Sequence, residues 1–345
     1  MKAVIVVGAG ITGCASARIL SENGFEVFVY ESDDQPGGLC REISVQGWKL
    51  PKYGPHIIRT SDRQVEAFLL RFSSFRHYRH RVKTLVQGAL EDFPPALSVS
   101  PLVNSPDYAA KNLEQYLINA IGKRNYEVYY KGYTTKKWGV EPVELSASLI
   151  PLMPVQRGKH SYFPDRFQGI PESGFTELCY RLLDSPKITF CPSSKVNVDD
   201  LPSTHLLIWC ARIDSFFQYK HGQLPYASLK QTINVLQDWP PDASGCAVIN
   251  NPDPDVPYIR ETNYSILLHP ECGFLGREFP QIGNVPAYPV LTHATERVVK
   301  KYMSEAQHLR EHIIFAGRLG RFEYNSMDSC ISQAFQVAKE IKNLA

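Results

Sequence analysis

The chain has 345 residues and a mass of 39.0 kDa, with 43% hydrophobic and 21% charged residues, enough to bury a large core divided over two or three domains. A formal charge of +2 is too small to argue for nucleic acid or an anionic membrane as a partner, and no apolar run approaches the roughly 20 residues that span a bilayer. The eight cysteines are scattered, without a C-x-x-C pair or metal-ligand spacing, and no cleavable leader opens the chain, so the expectation is a cytoplasmic protein with reduced thiols and no metal.

In chain order, Lys2–Val7 is a β-branched run of the kind that forms a strand buried on both faces. It enters Gly8-Ala9-Gly10-Ile11-Thr12-Gly13, then a helix-like stretch from Cys14 to Asn23, with Gly24 at its end. A second apolar strand, Phe25–Tyr30, terminates in Glu31. Strand, glycine turn, helix, strand and acidic residue together predict a dinucleotide site. Gly8, Gly10 and Gly13 let a pyrophosphate approach the helix N-terminus, and Glu31 accepts hydrogen bonds from a ribose. Pro36-Gly37-Gly38 adds a second glycine turn, which favours FAD over NAD.

Phe72–Lys83 is locally basic and reads as a solvated strand or loop face rather than a substrate attractor. Ser105-Pro106 has the form of an N-cap followed by proline at the first helical position. Leu113, Tyr116, Leu117 and Ile121 then share one helical face, so a small helical domain extends to about Val140. From Lys131 to Thr176 aromatic rings, cations and glycines mix without a regular period, the composition of a site that stacks a base and grips phosphates. Short β-rich pieces between Leu206 and Pro289, such as Ile249–Tyr258, predict an antiparallel sheet. At the far end a strand at Ile313–Phe315 leads to Gly317-Arg318-Leu319-Gly320. A helix around Met327–Lys339, headed by Asp328, offers the cofactor a second helix N-terminus.

These residues carry a resemblance. KYGPHI (52–57), KGYTTKKWG (131–139), YFPDRFQGIP (162–171), AVIN with VPYIR (247–260), REF (277–279), YPV (288–290) and GRLG with MD (317–328) occur in the order of the flavin-dependent UDP-galactopyranose mutases. The chain resembles that family along almost its whole length. The implied fold class is α/β: a discontinuous Rossmann-like FAD domain (1–75, 174–205 and 305–345), a helical substrate domain (103–145) and an antiparallel sheet domain (76–102, 146–173 and 206–304).

The resemblance implies a non-redox ring contraction of a nucleoside-diphosphate sugar, with N5 of reduced FAD as nucleophile on the anomeric carbon. It also implies an external flavin reductant as partner and allows a homodimer. His56, Arg260, Arg318, Tyr162 and Tyr324 match catalytic positions: a histidine beside the flavin, two diphosphate arginines and two phenols. Tyr129, Tyr130, Tyr133 and Trp138 match the aromatic wall of the base, while Glu278 and Tyr288 match the sugar and phosphate pocket. Leu39, Tyr53, Gly54, Val196, Met327 and Asp328 join Gly37, Gly38, His56 and Arg318 as expected cofactor contacts.

The departures concern charge. The family's arginine after Pro-Val falls on Gln156, with Arg157 next to it, and one of two paired tyrosines is Ala287. Arg59 stands in place of a histidine, and Ala211-Arg212 in place of Gly-Pro. The expectation is retained flavin chemistry on a nucleotide sugar that need not be UDP-galactose. The competing readings are an amine-oxidase-type flavoenzyme and a catalytically silent nucleotide-sugar binder.

Overall fold

The computed structural model describes residues 3–95, 110–152, 155, 162–201, 206–243, 245–282, 285–309 and 311–344. Its first strand, β1 (Ala3–Val7), is buried over four of its five residues, as a β-branched run must be when strands flank it on both sides. Helix α1 (Ile11–Glu22) starts directly after Gly10, three residues earlier than the apolar run alone indicates, so Gly13 lies inside it. β2 (Glu26–Tyr30) returns parallel to β1.

The parallel sheet has five strands, ordered Ile188–Cys191, β2, β1, Leu206–Trp209, Ile313–Phe315. Strand Leu206–Trp209 is a correction to the sequence reading, which grouped it with the antiparallel region. It pairs in parallel with β1 and with Ile313–Phe315. Its uninterrupted LLIW run suits a strand covered on both faces rather than a half-exposed one. Helix α1 packs against the last helix, Met327–Leu344, bringing both chain ends to the same sheet.

A second sheet of seven strands runs Tyr288–Pro289, Tyr226–Val235, Phe274–Ile282, Arg260–Asn263, Val248–Asn250, Val82–Val86, Ala89–Phe93. All its pairings are antiparallel except that of Val248–Asn250 with Val82–Val86. Only the start of the expected Ile249–Tyr258 piece is strand; beyond Asn251, Asp253 and Asp255 donate backbone N–H groups to the side chains of Asn251 and Asp253 and turn the chain. In the basic stretch Phe75, Tyr78, His80 and Val82 are buried while Arg79 and Arg81 are exposed on an outer face; Arg76 and Lys83 are half-buried.

In the helical part, Leu113–Ile121 buries Leu113, Tyr116, Leu117 and Ile121. Its N-cap is Asn112, whose side chain accepts from Gln115 N–H at 2.9 Å. Ser105 and Pro106 lie outside the described residues. A π-helical turn, Tyr126–Lys131, runs into the helix Gly132–Trp138, which ends on left-handed Gly139. No helix among the described residues is long and apolar enough to cross a membrane.

Candidate active site

A cavity of about 1130 Å³ opens where β1, β2 and Leu206–Trp209 end. Gly8, Gly10, Gly13, Glu31, Gly37, Gly38 and Leu39 line it from the first βαβ unit, Tyr53, His56 and Val196 from loops, and Arg318 and Met327 from the far end of the chain. Gly54 and Asp328, also expected at the cofactor, are not on its wall: Gly54 lies against Glu278, and Asp328 accepts from Ser326.

The lining fits FAD on geometric grounds. A Cβ on Gly13 would stand 2.0 Å from the Gly8 carbonyl oxygen, so the helix start can rest on the turn only with glycine there. A Cβ on Gly10 would meet nothing within 4 Å, which leaves that face of the turn open to a diphosphate. Glu31 accepts from Ala9 N–H at 2.7 Å and Asp33 N–H at 3.1 Å, which fixes a carboxylate on the wall for a ribose.

Beside this cavity the seven-stranded sheet presents a polar row. Gln231, Glu278 and Arg260 are directly opposite one another on three adjacent strands and so share a face. Arg260 Nε approaches Glu278 Oε1 at 3.4 Å, yet neither buried atom completes a hydrogen bond. Arg260 also donates to the Tyr133 hydroxyl. Burial pushes the Glu278 carboxyl above its ordinary pKa, with Arg260 and Lys137 opposing. Gln231 Oε1 accepts from Gly54 N–H at 2.5 Å. At Gly54, with φ of +89°, a Cβ would come within 2.8 Å of the Glu278 carboxylate. The loop carrying Tyr53 and His56 is thereby pinned on the sheet.

Trp138, Tyr288 and Tyr324 form an edge-to-face box with centroid separations of 5.3 to 6.0 Å. Lys137 enters it: its Nζ donates to the Tyr324 hydroxyl at 3.3 Å and lies 4.7 Å from the Tyr288 ring centre, 5.2 Å from that of Tyr324 and 5.4 Å from that of Trp138. The Arg318 guanidinium covers the same two tyrosine rings at 5.4 and 4.9 Å and donates to the carbonyls of Ala287 and Asn325 at 3.0 and 2.7 Å. Burial alone would raise the Tyr324 phenol, but Lys137 and Arg318 hold it below its ordinary pKa. Burial and Tyr324 push the Tyr288 phenol up to about 12.

Tyr162 packs against His80 and Phe163 at 5.4 and 4.6 Å; burial raises its phenol, with the neighbouring Tyr133 adding to the shift. The four-ring wall expected for the base divides. Tyr133 and Trp138 face the cations, whereas Tyr129 donates to Glu91 and Tyr130 packs 5.1 Å from Phe93, both against strand Ala89–Phe93. Arg59 is paired with Asp165 at 2.8 Å and lies over Phe163, and Arg212 grips Asp214 through two nitrogens. Gln156 and Arg157 lie outside the described residues.

Two cluster members, Gln231 and Lys137, are absent from the sequence-derived set. Lys137 had a signal: it follows Tyr133 by one helical turn and so shares its face, whereas Lys136 donates to the carbonyls of Asp253, Val256 and Tyr258. Gln231 had none, because its partners come from distant strands.

His56 and His80 are both driven neutral. Burial, helped by Arg318, lowers His56 to about 4, and burial with Arg260 lowers His80 to about 3. Such histidines take up protons on unfolding, so their contribution to stability is full above the unfolded pKa of about 6.5 and is lost as pH falls toward these values. Thermal unfolding is therefore expected to show a falling midpoint between pH 6.5 and 4, with a shallower fall in His80→Phe; equal slopes in the two proteins would contradict this.

The UDP-galactopyranose mutase family description matches residues 128–324, and that of the NAD(P)-binding Rossmann-like domain matches residues 6–72. The chain is 30% identical to dTDP-fucopyranose mutase of Escherichia coli, over 99% of both proteins. It is 29% identical to the "Probable UDP-galactopyranose mutase" of Klebsiella pneumoniae, over 98% of this chain and 94% of the relative. The crystal structure of a reduced UDP-galactopyranose mutase superposes with a TM-score of 0.80 at 16% identity, covering 100% of this chain and 96% of the other, a likeness of fold. With a dinucleotide cavity at one end of its parallel sheet and a cationic, aromatic recess beside it, the chain belongs to the UDP-galactopyranose mutase family of sugar-nucleotide isomerases.

Proposed function

We propose that this isomerase interconverts the pyranose and furanose forms of a nucleoside-diphosphate hexose, and that its preferred substrate need not be UDP-galactose. The observation that carries the reading is the position of Arg318. It lines the dinucleotide cavity and also covers the Tyr288 and Tyr324 rings of the recess, so cofactor and substrate would meet at one cation. FAD, once reduced by an external donor, supplies a nucleophilic N5 for the anomeric carbon.

The chain's own residues do the rest. Arg260 and Arg318 hold the diphosphate, and the Tyr162 and Tyr324 hydroxyls donate to its oxygens. Glu278, held by Arg260, accepts from sugar hydroxyls, and neutral His56 borders the flavin without adding charge. Tyr133, Trp138 and Tyr288 wall the nucleotide and exclude water; Tyr129 and Tyr130 support that wall from behind. A recess dominated by cations would repel a protonated amine, which disfavours amine oxidation.

Ala287 in place of a phenol alters the phosphate end, which supports a changed substrate. The 30% identity to a dTDP-fucopyranose mutase makes a dTDP-linked 6-deoxyhexose one candidate. Flavin-loaded protein reduced with dithionite should convert at least one of UDP-galactopyranose, dTDP-fucopyranose and a GDP-hexose to furanose, with no conversion in the oxidised state. Binding of these nucleotides without any furanose product would replace the mutase reading with that of a silent binder.

A further inference from the structure

The charges of the recess are unequal. Lys137, Arg260 and Arg318 converge on the Tyr133, Tyr288 and Tyr324 phenols, while Glu278 is the carboxylate beside them. Lys137 makes no salt bridge among the described residues. This sets it apart from Arg59 and Arg212, each already paired with an aspartate, and from Lys136, spent on three carbonyls. Among the described residues its partners are one phenol and three ring faces, which leave an ammonium's other N–H donors for an anion. The phenols around it, Tyr324 first, offset the cost of burial and hold it charged.

The chemistry of the proposed reaction has a place for such a charge. An intact nucleoside-diphosphate sugar carries two negative charges on its diphosphate. When the anomeric C–O bond breaks, its electron pair leaves with the β-phosphate oxygen, which gains a third. Arg260 is opposed by Glu278, so the two arginines leave one net positive charge for the diphosphate and Lys137 adds a second, which the expelled nucleotide needs more than the intact one does. We propose, on the basis of the mutase reading, that Lys137 is a catalytic residue that takes up the charge developing on the β-phosphate of the departing nucleoside diphosphate, with Trp138, Tyr288 and Tyr324 holding its ammonium in place. Its stabilisation is greater after bond cleavage than before, which is what accelerates a chemical step.

Lys137→Met keeps the length of the side chain and removes the charge; Lys137→Arg keeps the charge. Calorimetric titration of flavin-loaded protein with UDP, dTDP, GDP and the corresponding nucleosides separates phosphate from base binding. Lys137→Met is expected to weaken the better nucleoside diphosphate by about 10- to 100-fold. Nucleoside affinity stays unchanged, and kcat falls more than KM rises. Lys137→Arg recovers part of both losses, and the nucleotide-free Met variant melts no lower than wild type, because a recessed cation without a counter-ion adds little stability. If wild type binds none of UDP, dTDP and GDP, the mutase reading itself fails. Where it binds one and Lys137→Met binds that ligand within about twofold, with Arg260→Met as a weakened control, only the assignment of Lys137 is overturned. A Met variant that melts well below wild type also overturns it, by making Lys137 a prop for the aromatic box.

Discussion

Arg260→Met is expected to lower kcat/KM for the pyranose–furanose interconversion by about 10²- to 10³-fold while flavin loading stays at the wild-type level. Arg260 sits in the sheet rather than on the cofactor cavity, and it contacts both Tyr133 and Glu278. Its removal deletes a diphosphate cation and frees the Tyr133 ring. It also strands Glu278, which is 1% exposed, without its cation, a change that costs about 3–5 kcal/mol when a buried pair is broken on one side. The two losses can be separated. The double variant Arg260→Met, Glu278→Gln removes the buried charge, so its unfolding midpoint should recover while turnover does not. Steady-state kinetics with reduced protein and thermal unfolding of wild type and the two variants check this; recovered activity in the double variant would show that Arg260 serves only to neutralise Glu278.

Gly13→Ala is expected to yield protein largely free of flavin and destabilised by about 1–3 kcal/mol, the usual cost of forcing an atom into a packed site. The added methyl would lie 2.0 Å from a backbone oxygen, which no rotamer change relieves, so α1 must shift off the turn. Gly10→Ala is the informative contrast. Its methyl meets nothing within 4 Å in the protein, so the flavin-free chain should keep its stability and lose affinity for FAD only. The ratio of flavin absorbance to protein, with unfolding of the flavin-free forms, distinguishes the two. Equal stability losses would mean that the Gly10 face of the turn is not the ligand's side.

The βαβ unit and the far strand at Ile313–Phe315 could be read directly, because strand, turn and helix are consecutive and each leaves its own period or glycine signature. Gly8, Gly10, Gly13 and Glu31 of that unit line the cavity; Leu39, Tyr53, Val196 and Met327 came from the resemblance, which also named Gly54 and Asp328, whose backbone position does not set which way the loop or helix turn faces. Motif order carried the aromatic and arginine positions. It did not reveal that Tyr129 and Tyr130 turn toward strand Ala89–Phe93, since a tyrosine at the same helical spacing serves equally well as packing or as a site wall.

The amino-acid order by itself determined the dinucleotide unit, the family motifs and the wealth of cations between Lys131 and Thr176, all properties of local pattern. Tertiary structure decided which cations, there and elsewhere in the chain, are left for a ligand. Arg59 and Arg212 met aspartates, Lys136 met carbonyls, and among the described residues Lys137 met a phenol and ring faces. It also placed Gln231, Glu278 and Arg260 in one row, from strands far apart in the chain. The reason is electrostatic: a side chain's type sets its charge, but whether that charge is already compensated depends on partners brought together only by the fold.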